Sequence, residues 1–89
     1  MRFIAELYLP AGRRDSVDEL DRRAAAGARE LLAQGVRVSL TGSTLVPEDE
    51  MLLLHYEAEA RELVLEAIRR AGLTSERVVE AIETARPAG

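Results

Sequence analysis

Hydrophobic and polar residues alternate along the first segment of the chain. Between Arg2 and Leu9 every second residue is apolar, and the residues between them are mixed in character. Successive side chains of a β-strand point to opposite faces, so this period of two predicts a strand over residues 2–9. Its two faces carry Phe3, Ala5, Leu7 and Leu9 on one side and Ile4, Glu6 and Tyr8 on the other.

The same period returns twice in the middle of the chain. It runs from Val36 to Val46, where Gly42 interrupts it and predicts a bulge or bend in a long strand. A turn at residues 47–49 follows, with Pro47 presetting its first corner. The alternation then resumes over residues 50–57, with Leu52, Leu54 and Tyr56 on one face and Met51, Leu53, His55 and Glu57 on the other.

Two segments with apolar residues at helical spacing separate these strands. The first helix is expected to begin at Val17, because Ser16 and Glu19 form the S-x-x-E pattern of a capping box, and to end at Gly35. The second is expected over roughly residues 59–71, before Gly72.

Gly27 lies on the apolar stripe of the first helix. Glycine lowers helix propensity by about 1 kcal/mol relative to alanine, so its presence there calls for a packing reason. The sequence predicts that the helix approaches the sheet closely at this residue.

The last segment fits two structures. Residues 74–77 are able to cap a short helix, whereas Val78, Val79 and Ile82 suit a strand equally well. We favour a single turn followed by an edge strand, with residues 1–84 forming one domain and residues 85–89 a C-terminal tail.

The resulting order of elements, β-α-β-β-α-β, predicts an α+β fold of the ferredoxin-like class. In that fold two helices cover one face of a four-stranded antiparallel sheet with spatial order 4-1-3-2. The other face then carries apolar residues, among them Ile4, Met51 and Leu53. Since a small protein rarely leaves such a patch in water, the economical solution is a homodimer, or a higher homo-oligomer, with two sheets packed face to face.

Composition removes several classes of function. The 89 residues include no cysteine, which excludes thiol chemistry and thiolate-ligated zinc or iron sites. All twelve cationic side chains are arginine, which excludes a catalytic lysine. A net charge of -4 with interleaved signs argues against nucleic acid as a partner, and the short N-terminal apolar run argues against a membrane or export signal. A cytoplasmic location is the expectation.

Three short stretches carry a resemblance to a known family. Tyr56-Glu57-Ala58, Arg69-Arg70-Ala71-Gly72-Leu73 and Arg77-Val78, at this spacing, resemble a family of small bacterial ferredoxin-like domains, largely of unknown function, that includes nickel-binding members. The likeness extends from the first strand through Val79. It implies a dimeric α+β barrel with ligand or metal sites near the sheet or between protomers.

The sequence departs from that family where its metal chemistry would lie. A cysteine frequent on the third strand corresponds to Leu54, and a histidine frequent in the second helix falls near Ala67 and Ile68. The Pro-Asp that commonly follows the third strand is Glu59-Ala60 here. The resemblance alone therefore does not carry metal binding over to this chain.

The open face of the predicted sheet offers one candidate site. Ligand-binding candidates are Glu6, Tyr8, Arg37, His55 and Glu57. Imidazole and carboxylate suit nickel or zinc, so His55, Glu57 and Glu6 from two chains form the candidate site for a divalent transition metal. An alternative is that His55 is structural and hydrogen-bonds a carboxylate or the backbone at the dimer seam.

Two functions follow from these residues. The first is non-enzymatic binding of a small ligand or metal ion by a homo-oligomer. The second is a small cofactor-independent enzyme of the cyclase, isomerase or monooxygenase type acting on an apolar substrate. There His55 would be the general acid/base, Glu6 or Glu57 would orient it, and Tyr8 or Arg37 would hold an oxyanion. A purely structural role requires no site.

Overall fold

The computed structural model describes residues 1–85 and places all the predicted elements in chain order. Four strands form one antiparallel sheet in the order β2-β3-β1-β4, which is the predicted 4-1-3-2 arrangement. The ferredoxin-like α+β fold is thereby confirmed. The elements are β1 (Arg2–Tyr8), α1 (Val17–Ala33), β2 (Val38–Val46), β3 (Met51–Ala58), α2 (Arg61–Arg70) and β4 (Arg77–Ala81), with 3-10 turns at Ala11–Ser16 and Pro47–Asp49.

The core lies between the sheet and the two helices. Alternate residues of the two central strands are buried in it, as the period of two predicts. The strands contribute Phe3, Ala5 and Leu7 from β1 and Leu52, Leu54, Tyr56 and Ala58 from β3. The helices complete it with Ala24, Ala28, Leu31, Val64, Ala67 and Ile68.

The start of α1 differs from the predicted capping box. The helix does begin at Val17, but Ser16 already has helical backbone angles and its side chain makes no capping hydrogen bond. The reason is the 3-10 turn Ala11–Ser16, which runs directly into α1, whereas an N-cap serine requires extended backbone. This part of the prediction is wrong.

Both helices end as the glycines predict. Gly35 and Gly72 have positive φ angles of 84° and 70°. After α1 the amide of Val36 donates to the carbonyl of Leu31, and after α2 the amide of Leu73 donates to that of Ile68. These are the hydrogen bonds of a Schellman motif, which satisfy carbonyl groups that the helix leaves without partners.

Gly27 has a different neighbour from the predicted one. A Cβ atom at this position would lie 2.6 Å from the carbonyl oxygen of Ala67 and 2.9 Å from the amide nitrogen of Ala71. Both atoms belong to the backbone of α2 and its C-terminus. The close approach is therefore between the two helices and not between α1 and the sheet.

Arginine side chains connect the two helices on their outer side. Arg23 donates to the carbonyl oxygens of Ala71 and Gly72, at 3.2 and 2.6 Å. Arg70 bridges Glu30 of α1 and Glu66 of its own helix, at 2.7 and 2.9 Å. Hydrogen bonds from Arg69 and Arg70 lower the pKa of the Glu66 carboxyl to about 2. Glu66 and Arg70 thus form the i,i+4 ion pair that is common on helix surfaces.

The C-terminal segment is a strand, as favoured from the sequence. It pairs antiparallel with β1 and forms one edge of the sheet. Helix α2 is shorter than the expected 59–71 because Ala60 has extended backbone angles and lies outside it. The predicted tail lies mostly outside the described residues, which end at Ala85. Over residues 1–85 no helix is long and apolar enough to cross a membrane.

Candidate functional site on the open face of the sheet

The sheet face opposite the helices, here called the open face, is built from the residues that alternate with the core positions. The strand register aligns them in rows across the sheet. Most of its apolar side chains are half-buried, and Tyr8 at one end is 58% exposed. The rows are Ser39, Glu57, Arg2 and Ala81; Gly42, His55, Ile4 and Val79; Thr44, Leu53, Glu6 and Arg77; and Val46, Met51 and Tyr8.

A bulge in β2 determines what surrounds His55. The register of β2 against β3 shifts between Leu40 and Gly42, so Thr41 is the extra residue. Beyond the bulge the alternation is inverted, and Thr44 comes to the open face together with His55. The predicted bulge is confirmed. Its consequence for the site is that Thr44 lies on the open face of the sheet instead of the core face.

Two threonine hydroxyls hold the histidine. The Oγ1 atom of Thr44 lies 2.9 Å from Nε2 of His55, and the Thr41 hydroxyl donates to the His55 backbone carbonyl at 3.2 Å. Within residues 1–85 the imidazole makes no hydrogen bond to a carboxylate. In a single chain the group that orients the ring is therefore a hydroxyl, and neither Glu6 nor Glu57 has that role.

The ring lines a cavity of about 260 Å³ on the open face, between β3, β1 and the segment after β4. Thr41 and His55 lie at one side, and Ile82 and Glu83 at the other. The guanidinium of Arg2 is bonded to the Glu83 carboxylate at 2.8 Å. We call this cavity the His55 groove; it is lined by Arg2, Phe3, Ile4, Thr41, His55, Tyr56, Ala81, Ile82 and Glu83.

The two candidate carboxylates, Glu6 and Glu57, form ion pairs with cations of the same chain. Glu6 accepts a hydrogen bond from Nε of Arg77 at 2.7 Å. Glu57 lies 3.2 Å from the N-terminal ammonium and 3.7 Å from Nε of Arg2. Among the residues that the structure describes, no three histidine, cysteine, aspartate or glutamate side chains are grouped so as to hold a metal ion.

The donor set expected for nickel or zinc is thus not assembled within one chain. His55 lies opposite Ile4 in the register, whereas Glu6 lies opposite Leu53 and is ion-paired. A transition-metal site with these residues would have to take further donors from a second copy, as the sequence prediction already required.

The remaining candidates lie away from His55. Tyr8 is opposite Met51, two rows further along the sheet. Arg37 precedes β2 and lines a separate groove with Leu32, Val38 and Glu59. Of the five ligand-binding candidates, only His55 therefore lines the His55 groove.

The sequence reasoning missed Thr44, Thr41 and Arg2 as neighbours of the histidine. The signal for the two threonines was Gly42, since a bulge there inverts the alternation of every later residue in the strand. Arg2 carried no signal of its own, because its partner Glu83 is distant in sequence and joins it only through the pairing of β1 with β4.

Tyr56 lies behind the groove, on the core side of β3. Its side chain is 1% exposed, and its hydroxyl has no hydrogen-bond partner among residues 1–85. Burial raises the pKa of this phenol to about 12. The residue therefore fills the core and is not available as an acid or base near neutral pH.

Replacing this tyrosine by phenylalanine, Tyr56→Phe, is expected to leave the fold unchanged and to raise the free energy of unfolding by up to about 1 kcal/mol. The reason is that an unsatisfied buried hydroxyl is removed while the ring is retained. Since ionisation is easier in the unfolded chain, the wild type should lose stability as the pH rises from about 10 toward 12, and the variant should lose less. Urea titrations at pH 7 and pH 11 measure both effects; a variant destabilised by more than about 1 kcal/mol at pH 7 would contradict them.

Comparison with known proteins identifies the fold of this chain but does not assign the chain to a family. No family model and no curated protein matches the sequence. A solved structure is similar, the crystal structure of SCO4226 from Streptomyces coelicolor A3(2), with a TM-score of 0.75 and 15% sequence identity. The alignment covers 96% of this chain and 100% of that one. At this identity the likeness shows the fold alone, and the chain is thus a ferredoxin-like α+β domain with the fold of that Streptomyces protein.

Proposed function

We propose that the protein is a non-enzymatic binding protein for a small organic ligand, that it acts as a homo-oligomer, and that the ligand occupies the His55 groove. The observation that carries this proposal is the groove itself. It is a cavity of about 260 Å³ on the open face, its lining combines apolar with polar and charged side chains, and one of them is an imidazole fixed by a hydroxyl. Small-molecule sites are usually concave and combine apolar surface with a few polar groups that fix the orientation of the ligand.

The lining indicates the chemistry of the ligand. Ile4, Ala81 and Ile82 offer apolar surface, whereas the Thr41 hydroxyl and the His55 ring offer hydrogen bonds. The cation of Arg2 is already neutralised by Glu83 and Glu57. A molecule with an apolar body and one or two hydrogen-bonding groups fits this lining better than a strongly charged one.

A second copy packed on the open face would complete the site. Ile4, Leu53 and Val79 form an apolar strip beside His55 and are only half-buried in one chain. Packing two such sheets face to face would remove this strip from water and close the groove. The metal-binding form of the function depends on the same contact, because among His55, Glu57 and Glu6 only His55 is not ion-paired within residues 1–85, and a second chain would add a second His55.

Filling the groove provides the test. Ala81→Phe places a ring in the groove, and Ala26→Phe, on the exposed side of α1, is the matched control. With the uncharged dye N-phenyl-1-naphthylamine as probe, we expect Ala81→Phe to weaken binding about tenfold, which corresponds to about 1.4 kcal/mol, and Ala26→Phe to leave it unchanged. His55→Ala should weaken binding by a smaller factor.

Equal binding of the dye by the wild type and Ala81→Phe would contradict the proposal. Elemental analysis of the untagged protein separates the metal form from the organic one. Nickel or zinc that is present in the wild type and lost in His55→Ala would favour the metal-ion form, and metal that is retained in that variant would exclude His55 as its essential ligand.

A further inference from the structure

Strand β2 forms an edge of the sheet, and it is neither short nor charged, although it contains the bulge at Thr41. Its nine residues, Val38–Val46, include no charged side chain. The opposite edge, β4, has five residues and carries Arg77 and Glu80. Natural edge strands are usually short or charged, since an exposed row of amide and carbonyl groups invites another strand to pair. We propose that the β2 edges of two copies of this chain pair antiparallel and join two sheets into one of eight strands.

Charge at the two ends of β2 identifies a second copy as the partner. Arg37 immediately precedes the strand, and Glu48 and Asp49 lie in the turn that follows it. All three side chains are exposed, and none forms an ion pair within residues 1–85. Antiparallel pairing about a two-fold axis brings the basic end of each strand beside the acidic end of the other, so both ends gain attraction.

The shape of β2 also suits an identical strand. The bulge at Thr41 increases the local twist, and a flat peptide would match this twist poorly. A second β2 carries the same bulge and the same twist. Symmetry therefore matches the two edges where an unrelated strand would have to adapt.

A groove beside the edge provides room for side chains of the partner. It is a cavity of about 180 Å³ between α1 and β2, lined mainly by apolar side chains, with Arg29 of the helix also at its wall; the apolar ones are Ala25, Ala28 and Leu32 from the helix and Val38 and Leu40 from the strand. Leu32 is 56% exposed in the single chain. Strands in a sheet lie about 4.8 Å apart, so the core-side residues of an incoming β2 would cover this apolar surface.

The edge contact uses a surface separate from the open face, and it does not depend on ligand binding in the His55 groove. A face-to-face contact and an edge contact together would generate an assembly larger than a dimer.

Charge reversal tests the pairing directly. Arg37→Glu makes both ends of β2 acidic, and the double variant Glu48→Arg, Asp49→Arg makes both ends basic. In low salt, we expect each variant alone to self-associate at least tenfold more weakly than the wild type in sedimentation equilibrium. An equimolar mixture of the two should recover association to within about threefold of the wild type, because each end then meets the opposite charge.

Arg14→Glu, which makes the same change of charge in the turn before α1, is the control and should associate like the wild type. Variants that associate as tightly as the wild type, or a mixture no tighter than its components, would overturn the proposal.

The absence of cysteine from the chain allows an independent measurement. Ser43 lies near the middle of β2 and is exposed, so Ser43→Cys should form a disulfide-linked dimer under mild oxidation. Glu80→Cys, on the β4 edge, is the matched control and should form it at least tenfold more slowly. Equal rates for the two variants, or no linked dimer from Ser43→Cys, would refute pairing at β2.

Discussion

Leu54→Ala is expected to lower the free energy of unfolding by about 3 kcal/mol. Leu54 is fully buried on the central strand β3, between Ala5 of β1 and Ser43 of β2 in the register. Both lateral neighbours are small, so they have little side chain with which to fill the space that the leucine leaves. Domains of this size are stable by about 5–15 kcal/mol, so the loss is a large part of the total. The midpoint and slope of urea unfolding, followed by circular dichroism, measure it.

Leu65→Ala is the matched control for this prediction. The same atoms are removed from the outer side of α2, where Leu65 is 45% exposed. The expected change is within about 0.5 kcal/mol, because the side chain is only partly removed from water in the folded state. A loss for Leu54→Ala no larger than that for Leu65→Ala would mean that the core is not packed as described.

Gly27→Ala is expected to destabilise the protein by about 2 kcal/mol, although alanine is the better helix former by about 1 kcal/mol. The new methyl group would lie 2.6 Å from the Ala67 carbonyl oxygen and 2.9 Å from the Ala71 amide nitrogen. Backbone atoms are unable to turn aside as a flexible side chain does, so the helices must separate. Separation would also strain the bond from Arg23 to the Gly72 carbonyl, which spans the same junction.

Gly12→Ala is the corresponding control, since an added Cβ there meets no atom within 4 Å. It should leave stability unchanged or raise it by about 0.5 kcal/mol, because alanine restricts the unfolded chain. Thermal and urea unfolding of the two variants side by side give the comparison. A Gly27→Ala protein as stable as the wild type would show that α1 and α2 do not approach each other at this residue.

The elements and their order were predictable because their signals are local. The alternation in 2–9 and in 50–57, and the helical spacing after Val17, depend only on which residues must leave water together. The glycines at 35 and 72 marked the helix ends, since a left-handed residue closes a Schellman motif. With short connections, this order of elements leaves few possible topologies, and the observed sheet is the expected one.

The failed predictions concern partners that lie elsewhere in the chain. The S-x-x-E pattern at Ser16 predicted a capping box, but the preceding turn had already taken helical form. Gly27 correctly signalled a close approach, yet the identity of the other surface depended on how α2 lies across the sheet. A glycine in a helix indicates that another part of the chain packs closely against that position, but it does not show which element this is.

The features of the candidate site also fall into those that the sequence predicted and those that it did not. The sequence by itself determined that His55 would lie on the open face of a central strand, because strand alternation is a local property. Only the tertiary structure decided that the Thr44 hydroxyl hydrogen-bonds the His55 ring and that Arg77 forms an ion pair with Glu6. It also decided that the N-terminal ammonium and Arg2 form ion pairs with Glu57. These contacts join residues 11 to 71 positions apart, and they arise from strand register and from one extra residue at a bulge. A shift of register by one residue would have turned every one of these side chains to the other face.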